Sequence, residues 1–195
     1  MRDLGVAIAR FRPTIHTARS KSTALRSLIV HWCMEFFAWV FQDWTANRTR
    51  LDSQLILAFF RFVQYLRQSA PILGYIVNVP YKLIVSTIVG VELPPTLRVG
   101  PRLKLYHPHN IVIHRDAVVG ADCLIRHGLT IGTKLLEDGS ESRAPIVGDH
   151  VEFGASSILI GDIEVSSNCI IGAGAVVTKS VPEGSLAVGN PFRLI

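Results

Sequence analysis

The sequence predicts a mainly β protein: a parallel β-helix of short stacked coils behind an N-terminal helical region. Three observations predict it. Apolar residues recur at every sixth position across long stretches between Leu93 and Val177. Glycine often follows the recurring apolar residue. The first ninety residues lack that period and show helical spacing instead.

Residues 1–90 form the helical region and residues 91–195 the β-helix domain. Segment 24–70 reads as helices. In "LILAFFRFVQYLRQ", Leu55, Phe59 and Val63 fall on one helical face. "FQDWTANRTRLDS" (41–53) reads as the turn between two helices, with Asn47 or Asp52 as a cap. The most apolar windows are 28–41 and 72–91. The first contains His31 and Glu35, and the second is broken by Asn78, Pro80 and Lys82. Neither reads as a clean membrane span, which needs about 20 apolar residues. Contact with a membrane surface stays open. The start "MRDLGVAIARFRP" lacks the apolar core and cleavage site expected of a secretory signal.

The chain has 195 residues, long enough for a sizeable core. Residues 1–90 hold 11 Lys/Arg against 4 Asp/Glu, while residues 91–195 hold 9 against 11. A basic, apolar first half suits an anionic partner, such as a membrane surface or a phosphate-bearing substrate. A solvated basic face is the plain alternative. Cys33, Cys123 and Cys169 lie far apart with no CxxC pair. That argues against a disulfide frame or zinc ribbon and suits a reducing cytosol.

The six-residue register runs through Leu93, Val99, Leu105 and Ile111, then slips by two residues. It resumes at Ile113, Val119, Ile125 and Ile131, and a third series spans Val147 to Val177. Four positions after each register point stands a small or apolar residue, including Cys123, Ser157 and Cys169. One unit is a short strand plus a corner, and three units close a coil of eighteen residues. Stacked coils bury one continuous column. Gly at the corner supplies backbone freedom. The polar segment "TKLLEDGSESRA" (133–144) breaks the period and reads as an extruded loop, the usual place for function on a rigid stack.

The stretches "LYHPHNIVIHRDAVVGADCLIRHGLTIG" (105–132), "APIVGDHVEFGASSILIGDIEV" (144–165), "IGAGAVVTKSVP" (171–182) and "AVGNPFRLI" (187–195) resemble hexapeptide-repeat acyltransferases. Within that family the chain looks like serine acetyltransferases and, more closely, colanic-acid-type exopolysaccharide O-acetyltransferases. "QDWTANR" (42–48) joins the resemblance from the helical half. The resemblance implies a left-handed β-helix, a homotrimer, and acetyl-CoA as co-substrate in a groove between neighbouring stacks; the expected location is cytoplasmic, with the inner face of the membrane open. It implies no metal, and no nucleic-acid partner is expected.

Acetyl transfer from a thioester to a hydroxyl needs a base for the hydroxyl proton and a donor for the oxyanion. Histidine suits the base, with an unperturbed pKa of about 6.5. The resemblance assigns that role to His107 and makes Glu92 its supporting carboxylate. Asp43 and Arg143 match acceptor-binding positions, and His127 is a candidate to line the site. Tyr106 stands where serine acetyltransferases hold an aspartate, and Ala144 where they hold a second histidine. Losing that aspartate removes a partner for an ammonium group, which favours a sugar hydroxyl over serine. For acetyl-CoA the resemblance points to Gly154, Ala155 and Ala173, to Lys179, and to Gly189, Pro191 and Arg193 of the closing segment. His109 and His114 are expected to be structural and surface corner residues.

Serine O-acetylation is the alternative within the family. Two other classes compete. A γ-carbonic-anhydrase-like metal enzyme would use His109, His114 and His127. A non-catalytic scaffold would use the apolar helical half to bind a membrane or a protein.

Overall fold

The structure is a computed structural model that describes residues 21–195, so the opening "MRDLGVAIARFRP" lies outside the described residues. Helix α1 spans Lys21–Val40, followed by a 3₁₀ turn at Thr45–Asn47. Helix α2 spans Leu51–Ser69 and α3 spans Pro71–Tyr81. The chain divides into two compact units at Phe36/Phe37, so residues 37–90 belong to the same unit as the coils.

Among the described residues fourteen short strands wind as a parallel three-sided coil. One side stacks β1 (Val91–Glu92), β4 (Ile111–Ile113), β7 (Thr130–Gly132), β10 (Ile158–Ile160) and β13 (Val176–Val177). The second stacks β2 (Arg98–Val99), β5 (Val118–Val119), β8 (Ile146–Val147) and β11 (Glu164–Val165). The third stacks β3 (Lys104–Tyr106), β6 (Leu124–Arg126), β9 (Glu152–Phe153), β12 (Ile170–Ile171) and β14 (Leu186–Val188). It is closed by the antiparallel β15 (Arg193–Leu194).

The inward residues are those of the six-residue register and their partners four positions on. Leu105, Ile125, Phe153, Ile171 and Ala187 form one fully buried column, and Cys123, Ser157 and Cys169 sit inside as small fillers. Burying each large side chain contributes about 1.5–3 kcal/mol. The glycines after the register points do a different job from the one expected. Gly154 does not have a positive φ. A Cβ on it would lie 2.3 Å from the Ala173 nitrogen, so the next coil packs onto its bare Cα. Left-handed backbone falls instead on corner residues such as Arg102, Asp122, His150 and Asn168.

The two-residue slip has a definite place. Tyr106 pairs with Arg126 and Val112 with Thr130, so the lower coil spends two more residues between those points. They lie in the corner "HPHN", residues 107–110. The second departure is the loop between β7 and β8, which folds back on itself through the Leu135–Glu141 bridge.

The first coil has no strand beneath it, and side chains from the helical region replace one. Asp43 accepts the Leu103 N–H (2.9 Å). Asn47 donates to the Leu103 carbonyl (2.8 Å) and accepts from the Leu105 N–H (3.1 Å). Ser53 donates to the Leu105 carbonyl, Arg61 to those of Val99 and Gly100, and Gln64 to that of Leu97. An open sheet edge is thereby closed without another chain. Asn47 is thus a stand-in for a strand and caps no helix. Asp52 bonds only its neighbour Ser53, and α2 begins without a side-chain cap.

Helix α3 contains Pro80 in its last turn. It continues as a π-helical stretch, Lys82–Ile88, closed by the Val89 N–H bonding the Ile84 carbonyl five residues back. Proline removes a donor from the α ladder, and a wider turn restores the pairing. Pro71–Ile88 is long and apolar enough to cross a membrane by length and composition alone, and only 17% of it is buried.

Candidate active site

The corner between the third and first sides carries the residues of interest. Strand register stacks Tyr106, Arg126, Gly154, Gly172 and Val188 in the last outward position before it. The next residue of each coil forms the corner column: His107, His127, Ala155, Ala173 and Gly189. Two imidazoles therefore lie at its foot, with ring centroids 6.4 Å apart and planes at 76°. Above them the column narrows to methyl groups and then to a bare Cα. A strip of small residues leaves backbone accessible to a long, thin substrate.

His107 is held by its backbone. Its φ is +55°, a left-handed conformation unusual for a residue with a side chain. The His109 N–H bonds the His107 carbonyl at 2.8 Å, closing a tight turn around Pro108. Asn110, with φ +53°, already supplies a left-handed residue in this corner. The strained position at His107 thus belongs to the two-residue insertion. Strain of this kind costs about 1–3 kcal/mol and gathers at functional sites.

A second site lies at the other end of the first side. The loop turns Arg143 toward Asp162, whose Oδ2 accepts from Nε (3.0 Å) and Nη2 (2.9 Å). Arg98, His114, Asp116, Thr133, Glu141 and Ser142 join it in lining one cavity. His114 Nδ1 accepts the Asp116 N–H at 3.3 Å, and its Nε2 lies 3.9 Å from Glu141. Carboxylates, guanidiniums and hydroxyls in one cleft can address several hydroxyls of a ligand at once.

No protein-family model matches the chain. The putative colanic acid biosynthesis acetyltransferase WcaB of Escherichia coli K12 is 38% identical over 115 residues, covering 58% of this chain and 68% of that protein. Serine acetyltransferase of Mycobacterium tuberculosis is 38% identical over 108 residues, covering 55% of this chain and 46% of the relative. Soybean serine acetyltransferase superposes with a TM-score of 0.69 at 26% identity, over 92% of this chain and 78% of that one. A serine acetyltransferase in complex with CoA superposes with a TM-score of 0.65 at 25% identity, over 89% and 77%.

The chain belongs to the hexapeptide-repeat acyltransferases. Its β-helix is left-handed, as the resemblance implied.

Within this acyltransferase, His107, His127, Ala155, Ala173 and Gly189 come together on one corner. Arg143 and Ala144 lie at a different corner, as does Lys179, which follows β13. Gly154 serves coil stacking, and Pro191 and Arg193 lie in the closing turn and β15. Glu92 makes no hydrogen bond or ion pair with His107. It pairs across from Val112, five residues past the His107 corner, and is exposed. Asp43, expected as an acceptor ligand, is tied into the helical region and the first coil. It is 2% exposed, and its carboxylate takes Arg61 Nε (2.7 Å) as well as the Leu103 N–H. His109 points outward, and its contribution is a carbonyl that accepts the Gly128 N–H. Among the described residues no three His, Cys, Asp or Glu are grouped to hold a metal.

Sequence reasoning passed over Arg50 and Arg126. Both guanidiniums lie against the Tyr106 ring, at 4.2 Å and 5.9 Å from its centroid. The six-residue period predicts the Arg126 contact, since it places the two residues one coil apart. No local signal marks Arg50, which comes from the start of α2.

Proposed function

We propose that this protein transfers the acetyl group of acetyl-CoA to a hydroxyl of a sugar during exopolysaccharide biosynthesis, with His107 as general base. The observation that carries the reading is the corner column, with two imidazoles below Ala155, Ala173 and Gly189. The pantetheine arm would lie along the small residues with its thioester toward His107. The acceptor oxygen attacks the acetyl carbon as His107 takes its proton, and CoA leaves as the thiolate, then accepts that proton. Among the described residues no carboxylate touches His107, so Glu92 would act only after a shift or on assembly.

A homotrimer is part of the proposal. The Arg143 cavity and the His107 column occupy different corners of one chain, and a threefold assembly can set one protomer's loop beside the next protomer's base. Glu92, Arg143 and Lys179 keep their proposed roles only to that extent, and Asp43 is proposed as an anchor. The exposed apolar face of α3, including Ile72, Ile76 and Val79, supports peripheral contact with the inner face of a membrane from the cytoplasm.

Serine acetylation is the second reading, favoured by the structural likeness to serine acetyltransferases. Tyr106 and Ala144 speak against it. The test is a screen of sugars, sugar phosphates and serine, following release of the CoA thiol. Turnover of a sugar-based acceptor with little turnover of serine supports the proposal, and the reverse pattern overturns it.

A further inference from the structure

We propose that Arg50 and Arg126, held against Tyr106, form an anion subsite beside the base, so that the acceptor is a sugar bearing a phosphate or a carboxylate. The inference rests on His107 being the base, and names the acceptor class for that same site. Tyr106 is the residue immediately before His107, on the outward face of β3. Arg126 stands one coil above it, in strand register. Arg50 reaches the same ring from the start of α2 and makes no ion pair with any described residue.

Cations outnumber carboxylates here: Arg50, Lys104 and Arg126 stand against Glu152. Arg126 has only a long contact with Glu152, 3.8 Å, and donates weakly to the Phe153 carbonyl at 3.4 Å. Lys104, also on the outward face of β3, makes no side-chain ion pair with any described residue. Stacking on an aromatic face holds a guanidinium flat while leaving its N–H edge free. A planar N–H edge matches the paired oxygens of a phosphate or carboxylate. A neutral sugar offers nothing that needs two such cations, and a free ammonium group would be repelled.

The test measures binding to the full-length protein by calorimetry, with glucose 1-phosphate, glucuronate and glucose as probes. The parent should bind at least one charged sugar about tenfold or more tightly than glucose. The two charged probes distinguish phosphate from carboxylate recognition. The Arg50→Gln/Arg126→Gln double variant should lose that preference while keeping its affinity for acetyl-CoA. Arg126→Lys, which keeps charge but not the planar edge, should fall between. A parent that binds charged and neutral sugars equally, or a double variant that keeps the preference, overturns the subsite. His107→Ala should retain the charge preference and lose turnover. A His107→Ala variant that still turns over rejects the base, and leaves the anion preference to be judged on binding alone.

Discussion

The imidazole of His127 sits one coil above that of His107, edge toward face, with 6.4 Å between centroids. Among the described residues neither ring contacts a carboxylate, and both open onto the corner that continues into Ala155 and Ala173. The proposed function casts His127 as a positioning residue for the base. His127→Ala should lower kcat by about tenfold, well short of the loss at His107, while His127→Gln recovers part of it. Steady-state kinetics with separate kcat and KM values check this, since a purely structural role would move stability instead.

The corner column makes a contrast between two neighbours. Gly154→Ala should destabilise the fold by roughly 1–3 kcal/mol, because its methyl would strike the Ala173 backbone. Ala155→Trp should leave the unfolding midpoint nearly unchanged and raise the KM for acetyl-CoA about tenfold or more. Thermal unfolding and acetyl-CoA kinetics on the two variants separate a stacking glycine from a groove residue.

Those two positions also show what the sequence disclosed. The six-residue period fixed the inward column, and with it which residues share a corner. Ala155 and Ala173 stack because each is two residues past an inward Phe153 or Ile171. Periodicity carries no information about contacts that begin outside the repeat. The Asp43–Arg61 pair and the Asn47 bridge join positions far apart in sequence, and their partners are backbone groups with no residue signature. Likewise the period read glycine as a corner residue, whereas Gly154 answers to a neighbour eighteen or more residues away in the chain.

The buried Asp43–Arg61 pair should behave as an anchor. Arg61→Ala leaves the buried Asp43 carboxylate without its cation and removes the donor to two carbonyls of the first coil, and should cost about 3–5 kcal/mol. Urea unfolding measures the loss. Asp43→Asn should destabilise as well, while the KM for the acceptor, measured on the folded fraction, stays within about threefold of the parent. A large rise in acceptor KM without loss of stability would restore Asp43 to the acceptor site.

The thiols should divide by burial. Cys33 is exposed, while Cys123 and Cys169 are inside the coil. Burial pushes the Cys123 thiol up to about 11. One equivalent of thiol should react quickly with a disulfide reagent at pH 8, and two more only on unfolding. Because the folded pKa is raised, the contribution of this thiol is complete below its ordinary value of 9.0. It is lost as pH rises from there toward 11, by an amount on the order of 2–3 kcal/mol. Alkaline unfolding curves of the parent and Cys123→Ala test the sign.

Serine should be a poor acceptor. Tyr106 occupies the position of an expected ammonium partner and is covered by two guanidiniums. Losing such an ionic contact costs on the order of 2–4 kcal/mol, or roughly 30- to 1000-fold in efficiency. Parallel assays with serine and the best sugar acceptor measure the gap. Serine turnover at an efficiency near 10⁴ M⁻¹s⁻¹, about the lower bound for good substrates, would reverse the choice.

The central claim is that His107 is the base and that acetyl-CoA is held by other coils of the same corner. The most direct measurement is turnover and acetyl-CoA affinity of His107→Ala against the parent. Removing a general base usually costs about 10²–10⁴ in turnover. The account predicts a kcat loss in that range with acetyl-CoA affinity within about threefold of the parent. A His107→Ala variant within threefold of the parent's kcat would contradict it and move the chemistry away from this corner.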